Sequence, residues 1–421
     1  MLPQLSLVLA LSIPLIDAVQ RRDQKAVLAL IKAGANVNAA RADGSTPLAW
    51  AAAREDAEIA AALIRAGANV NAADENGETP LLAACSNGSM AIARMLVDAR
   101  ANVNAARWNG ETPLMASVNF GNVELVKLLL ERGANGDPVE SRQGQTALMW
   151  AVAEGSGAIA RLLISAGANV NAVSRNGYTA VLFAAQKGDA ESMRLLIDAR
   201  ADPARKTRDG STAFQVALSR GHEAVALMLL DHGVDLAARD SNGGTALHEA
   251  VRQAKLDLVR ELIKRGADVN ARSTAPAGPP SPFRRSVGMT PFHAAAETGS
   301  VAIMRELIKL GADAKAATPD GATGFTFAVG SRKLDAVKMM VELGADVNER
   351  RRGGFGGNAL HTAIRFGAND IVQYLAERGI DFTVKDRFGR TPLEEAEFEA
   401  PKPTIELMRK LAAEVAGRKA K

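Results

Sequence analysis

Asp43-Gly44-Ser45-Thr46-Pro47-Leu48 returns as Asn76-Gly77-Glu78-Thr79-Pro80-Leu81, and again as Asn109-Gly110-Glu111-Thr112-Pro113-Leu114. The threonine column continues at Thr146, Thr179, Thr212, Thr245, Thr290 and Thr323, passes through Asn358 and closes at Thr391. Successive members are 33, 33, 34, 33, 33, 33, 45, 33, 35 and 33 residues apart. Counting back 33 from Thr46 reaches Ile13, where Pro14-Leu15-Ile16 makes a degenerate first copy. Twelve units result, the first and last atypical. A fixed period of this size marks a repeat architecture, not the two or three globular domains that 421 residues would otherwise suggest.

Each position in the unit has a physical reason. Threonine caps a helix by accepting a bond from a backbone N–H of the first turn. Proline just inside the helix start loses no bond, because that N–H would be unpaired anyway. The short helix that follows carries paired alanines, at Ala51-Ala52, Ala83-Ala84 and Ala184-Ala185, which let neighbouring helices approach closely. Gly88, Gly121, Gly155, Gly188, Gly221, Gly299 and Gly367 break it, and Ser89, Asn122 or Asp189 can cap a second helix. Val123, Val126, Leu129 and Leu130 give that second helix its apolar face. The phrase Gly34-Ala35-Asn36-Val37-Asn38, repeated at 67–71, 167–171, 266–270 and 344–348, ends it. The Asn-Gly or Asp-Gly segment before the next threonine predicts a β-turn hairpin. One unit cannot bury its apolar face alone, so each is expected to lean on the next.

The pattern Gly-x-Thr-Pro-Leu, Ala-Ala, Gly, Leu-Leu, Gly-Ala-Asn-Val-Asn resembles the ankyrin repeat, from about Ile13 to Ala416. The resemblance implies an all-α repeat solenoid of helix–turn–helix units with hairpin loops. The family's usual histidine after Thr-Pro-Leu is filled only at His248, His293 and His361. The expected organisation is an apolar tail or remnant signal segment at 1–12 and an N-terminal capping repeat at 13–41. Repeats follow at 42–272 and 287–386, separated by a Pro-rich hairpin insertion at 273–286. A C-terminal capping repeat spans 387–416 and a basic tail 417–421.

Departures from the pattern are few. Arg100 and Arg200 stand where the second helix should end on glycine, which predicts a local adjustment of the helix end. Pro279, Pro282 and Arg284 in the insertion fit a Pro-x-x-Pro-x-Arg pattern, although an exposed mobile loop is the simpler reading. Arg350-Arg351-Arg352-Gly353-Gly354-Phe355 reads as a solvated basic hairpin tip. Leu5–Leu11 is apolar but lacks a basic flank, so a tail over the first repeat and an export signal both stay open.

Composition narrows the function. Net charge is +4 over 51 basic and 47 acidic residues, which gives nucleic-acid binding no support. Cys85 is the only cysteine, so no intramolecular disulfide can form. No apolar run is long enough to cross a membrane. No zinc-protease, Walker-A, nucleophile-elbow or dinucleotide motif occurs. We therefore expect no enzyme, no cofactor, no metal, no nucleic acid and no membrane, and a monomeric cytoplasmic protein. A periplasmic or secreted regulatory or structural partner of an exported bacterial enzyme is the alternative.

The resemblance implies a protein partner on the concave face, built from hairpin tips and the exposed side of the first helices. Carried across residue by residue, those positions hold Trp108, Asn109, Glu111, Asn119 and Phe120, then Arg142, Gln143, Gln145 and Glu154. Arg175, Asn176, Tyr178, Gln186 and Lys187 follow, then Arg208, Asp209 and Arg220, and finally Arg252 and Gln253. Aromatic residues flanked by arginines are what interface hot spots are made of. Packing of Phe120 and Tyr178 on neighbouring hairpins is the competing reading. Trp50, Trp150 and Phe183 fall nearer the inter-helix core and are expected to pack there.

Overall fold

The computed structural model describes residues 14–208, 210–240, 242–274, 287–350 and 356–419. Twelve helix pairs recur along them, beginning with 14–20 and Gln24–Lys32 and ending with Pro392–Glu399 and Lys402–Lys419. The chain is an all-α repeat solenoid, divided into two compact units that meet in sequence at Gly233 and Val234. Unit 1 holds the first seven repeats, through the one capped by Thr212, and unit 2 the five capped by Thr245, Thr290, Thr323, Asn358 and Thr391. Within each unit, neighbouring first helices pack on one another, as do neighbouring second helices.

The threonine caps form as expected. In unit 1, Thr46, Thr79, Thr112, Thr146 and Thr179 accept from the N–H three residues on, at 3.2–3.4 Å. Asn122 and Asp189 cap second helices through their side chains, but Ser89 makes no such bond. Ala51, Ala52, Ala84, Ala184 and Ala185 are fully buried where first helices meet. Leu48, Leu63, Leu81 and Leu96 fill the layer between helices, each worth about 1.5–3 kcal/mol in burial. Hairpin tips close by backbone bonds such as Asp74 N–H to Glu78 O and Arg107 N–H to Glu111 O. They stop short of strands: four isolated bridges are the only β-pairing among the described residues.

The Asn-Val-Asn phrase proves to be the tie between repeats. Its first asparagine folds the turn, with Asn36 Oδ1 accepting from Asn38 N–H at 3.0 Å. Its second reaches forward, so that Asn38 Oδ1 accepts from Asn69 N–H at 2.6 Å while Asn38 Nδ2 donates to Gly67 O at 3.2 Å. The rung repeats at Asn71, Asn104, Asp137 and Asn171 in unit 1 and at Asn270 and Asn348 in unit 2.

Arg100 and Arg200 do not reshape the helix end as expected. They adopt the left-handed conformation glycine would take, with φ 63° and 61°. The bonds of Arg100 N–H to Val97 O and Ala101 N–H to Leu96 O close the turn only in that geometry. The neck of the Pro-rich insertion is closed by Ser273 N–H to Met289 O and Gly288 N–H to Ser273 O. Its apex at 275–286, the N-terminal segment through 13 and the tip at 351–355 lie outside the described residues. Lys402–Lys419 continues helical past Ala416 into the stretch read as a basic tail.

Candidate interaction surface

The hairpin tips of unit 1 are built by short-range bonds and fastened in series. Trp108 N–H donates to Asn76 O, Ser141 N–H to Asn109 O and Arg175 N–H to Gln143 O, at 2.9, 2.6 and 2.7 Å. Each tip is therefore held by the one before it. Inside a tip an acid gathers the turn: Glu140 accepts from the N–H groups of Arg142, Gln143 and Gln145. Burial alone would raise that carboxylate. The N–H bonds and the nearby Arg175 charge outweigh it and hold the group below the ordinary value.

The tips differ in where their arginines go. Arg107 is locked: it pairs with Glu78, reaches Glu111 at 2.7 Å and donates to Ser86 Oγ at 2.8 Å. Bonding to Glu78 and the charges of the two carboxylates outweigh burial, which works against the charged form, and leave it still more firmly protonated than a free guanidinium. Four positions before each cap threonine, the column Trp108, Arg142, Arg175 and Arg208 is exposed to solvent. Trp108 is 76% exposed. Arg142 and Arg208 have no ion pair among the described residues, nor do Lys187 and Arg220 at the ends of the first helices.

The expected site residues thus sort into two groups. Trp108, Asn119, Phe120, Arg142, Gln143, Arg175, Lys187, Arg208 and Arg220 are exposed. Phe120 nonetheless rests one face on Gly88 of the preceding repeat, where any side chain would collide with its ring. Glu154, Asn176 and Gln186 are exposed as well, whereas Asn109, Glu111, Tyr178 and Arg252 are half-buried and occupied. Glu111 is paired with Arg107, and Asn109 Oδ1 accepts from Glu111 N–H. Tyr178 packs on Phe183 with ring centroids 5.3 Å apart. Arg252 belongs to unit 2, where Glu249 at 2.9 Å and Asp240 at 3.5 Å hold it. Asp209 lies outside the described residues. Trp50 and Trp150 are half-buried, their indole N–H groups bonded to Ser45 Oγ and Gln145 Oε1.

Cys85 is sealed in the core, where burial pushes its thiol up to about 12 and leaves it unreactive. No group of histidine, cysteine and carboxylate side chains among the described residues could hold a metal. Three of the five histidines are structural. Thr245, Thr290 and Asn358 donate their N–H to Nδ1 of His248, His293 and His361, at 3.2, 3.0 and 3.2 Å. The Nε2 side then meets a carbonyl: Met289 O and Arg390 O of the following repeat for His248 and His361, and Ala316 O in the closing loop of its own repeat for His293.

Family models for ankyrin repeats match residues 15–107, 99–174, 181–273 and 278–351, with further matches at 158–197 and 340–396. The chain belongs to the ankyrin-repeat family. An ankyrin-repeat protein of Acanthamoeba polyphaga mimivirus is 38% identical over 61 residues, 14% of this chain and 8% of that protein's length. The chain therefore spans a small fraction of that ankyrin relative. Among solved structures, the ankyrin repeat domain of Bcl-3, a member of the IkappaB family, is similar at 32% identity and a TM-score of 0.46, covering 51% of this chain and 97% of that one.

Sequence reasoning stopped at the Thr245 repeat and so missed a second exposed aromatic group. Phe366, Phe388 and Phe398 of unit 2 are 51%, 54% and 65% exposed. The Arg390 guanidinium lies over the Phe398 ring at 3.6 Å and over Phe388 at 5.5 Å. The signal was present, since Phe366 precedes Gly367 as Phe120 precedes Gly121.

Proposed function

We propose that this chain is a protein-interaction scaffold whose partner binds the hairpin tips and first-helix ends of unit 1, from Trp108 to Arg220. The observation that carries the reading is the 76% exposure of Trp108 at the head of a column of solvent-facing arginines. A large apolar ring beside exposed guanidinium groups gains much from a partner and contributes little to the free protein. No residue of this surface has the perturbed, converging groups that acid–base or nucleophilic catalysis requires.

The test is capture from the source cell with the full chain. Trp108→Ala together with Phe120→Ala should abolish recovery of the partner, whereas Phe388→Ala should leave it intact. The reverse pattern would move the binding site to the aromatic group of unit 2.

A further inference from the structure

The column of unit 1 also says what kind of segment fits it. In successive repeats it holds Trp108, Arg142, Arg175 and Arg208, all exposed. The stems of two arginines are seated by glycine. A Cβ on Gly144 would lie 3.0 Å from Arg175 Cγ, and one on Gly177 3.5 Å from Arg208 Cγ. Both glycines have φ near +69° to +81°, a region that side chains rarely enter. Each tip therefore leaves a notch over which the next arginine's aliphatic stem lies, while its charged end stays in water. The guanidinium groups are presented as a row, one per repeat.

Packed helices lie roughly 8–10 Å apart, which sets the step between neighbouring tips. An extended peptide advances about 3.3 Å per residue, so one step corresponds to about every third residue. Resting on the interaction reading above, we infer that the partner segment is an extended acidic peptide. It carries Asp or Glu at every third position, and an apolar side chain one further step away against Trp108. Phosphate of a nucleic acid fits less well, because one guanidinium per repeat neutralises few phosphates.

The experiment is fluorescence anisotropy of the full chain with labelled synthetic peptides. One is Phe-Ser-Ser-Asp-Ser-Ser-Asp-Ser-Ser-Asp and another its reversed sequence. A permuted control has the three aspartates adjacent, and a fourth probe is a single-stranded oligothymidylate of about ten nucleotides. The expected result is that one of the two spaced peptides binds at least about fivefold tighter than the permuted control. A triple Arg142→Gln, Arg175→Gln, Arg208→Gln variant should lose about tenfold, and the corresponding triple Arg-to-Lys variant should keep most of the binding. Equal binding of spaced and permuted peptides overturns the register. Tighter binding of the oligonucleotide, lost in the same triple Gln variant, overturns the acidic-peptide assignment. If cellular capture depends on Trp108 and Phe120 while the peptides show no preference, the surface stands and the acidic register falls. If capture ignores Trp108 and Phe120, the interaction reading itself falls.

Discussion

The two units solve the same capping problem with different chemistry. Three residues after each cap threonine, unit 1 places Ala49, Leu82, Met115, Met149 and Leu182, and only its last repeat, with Gln215, closes a reciprocal capping box. Unit 2 places His248, His293, Thr326, His361 and Glu394 there, and every one of its repeats has the box. In unit 1 this column is a source of apolar burial. In unit 2 it is a polar bridge: each histidine is fully buried, accepts the cap N–H on Nδ1 and turns Nε2 toward a carbonyl, of the next repeat for His248 and His361 and of its own repeat's closing loop for His293. Where unit 2 has Thr326, too short to cross, Glu349 from the closing loop of the same repeat reaches back to Thr323 and Thr326. One fold thus tolerates a dry or a hydrogen-bonded joint at the same place, and the two should fail under different conditions.

The largest way to expose the difference is deletion of one bridge. His293→Ala removes two buried hydrogen bonds and leaves a cavity, so unit 2 should lose about 2–4 kcal/mol. Amide exchange followed repeat by repeat should show the loss in unit 2 and leave the Thr79 and Thr112 repeats unchanged. A uniform loss through both units would mean that they do not differ in this respect.

Acid should produce a similar contrast without mutation. Burial, partly offset by the Met289 carbonyl, lowers the His248 pKa to about 4, and burial likewise lowers His293 and His361. Below about pH 6.5 the unfolded chain takes up protons that the folded histidines refuse. Their contribution is therefore complete above about 6.5 and declines as pH falls; for His248, up to about 3 kcal/mol is lost toward about pH 4. Burial raises Glu349 and works in the opposite direction over the lower part of that window. Exchange protection of unit 2 should decline between pH 7 and 5 before that of unit 1; simultaneous decline would contradict the bridge.

Smaller effects separate the locked and free arginines of unit 1. Arg107→Ala strands Glu78 and Glu111 at a site where the arginine side chain is 22% exposed, so thermal unfolding should show about 1–2 kcal/mol of loss. Arg100→Gly relieves a left-handed arginine and should gain about 0.5–1 kcal/mol. Trp108→Ala should change stability by no more than about 0.5 kcal/mol, because the ring is already in water. A large loss there would show that the ring supports the fold.

Much of the molecule was legible from short-range rules. Helix starts at Thr46 or Thr112, the paired alanines and the turn glycines each act within about four residues, so spacing alone located them. The exposed residues of the candidate surface were also reachable, because a repeat transfers one position's geometry to the next. The pairing of Glu111 with Arg107 and of Arg252 with Glu249 and Asp240 was not legible, since a salt bridge depends on how the side chains turn. Phe366, Phe388 and Phe398 were overlooked only because the same columns were not followed into the last repeats.

By itself the sequence determined twelve repeats, their caps and their membership in a repeat family, because each of those properties is a local backbone preference restated at a fixed period. Only the tertiary structure decided that Asn38 and its equivalents tie one repeat to the next, that His248 and His361 bridge repeats, and that the chain divides at Gly233 and Val234. Those features depend on groups some 30 residues apart meeting at hydrogen-bond distance, as Asn38 and Asn69 do at 2.6 Å. That meeting is set by how helices pack, which no local preference encodes.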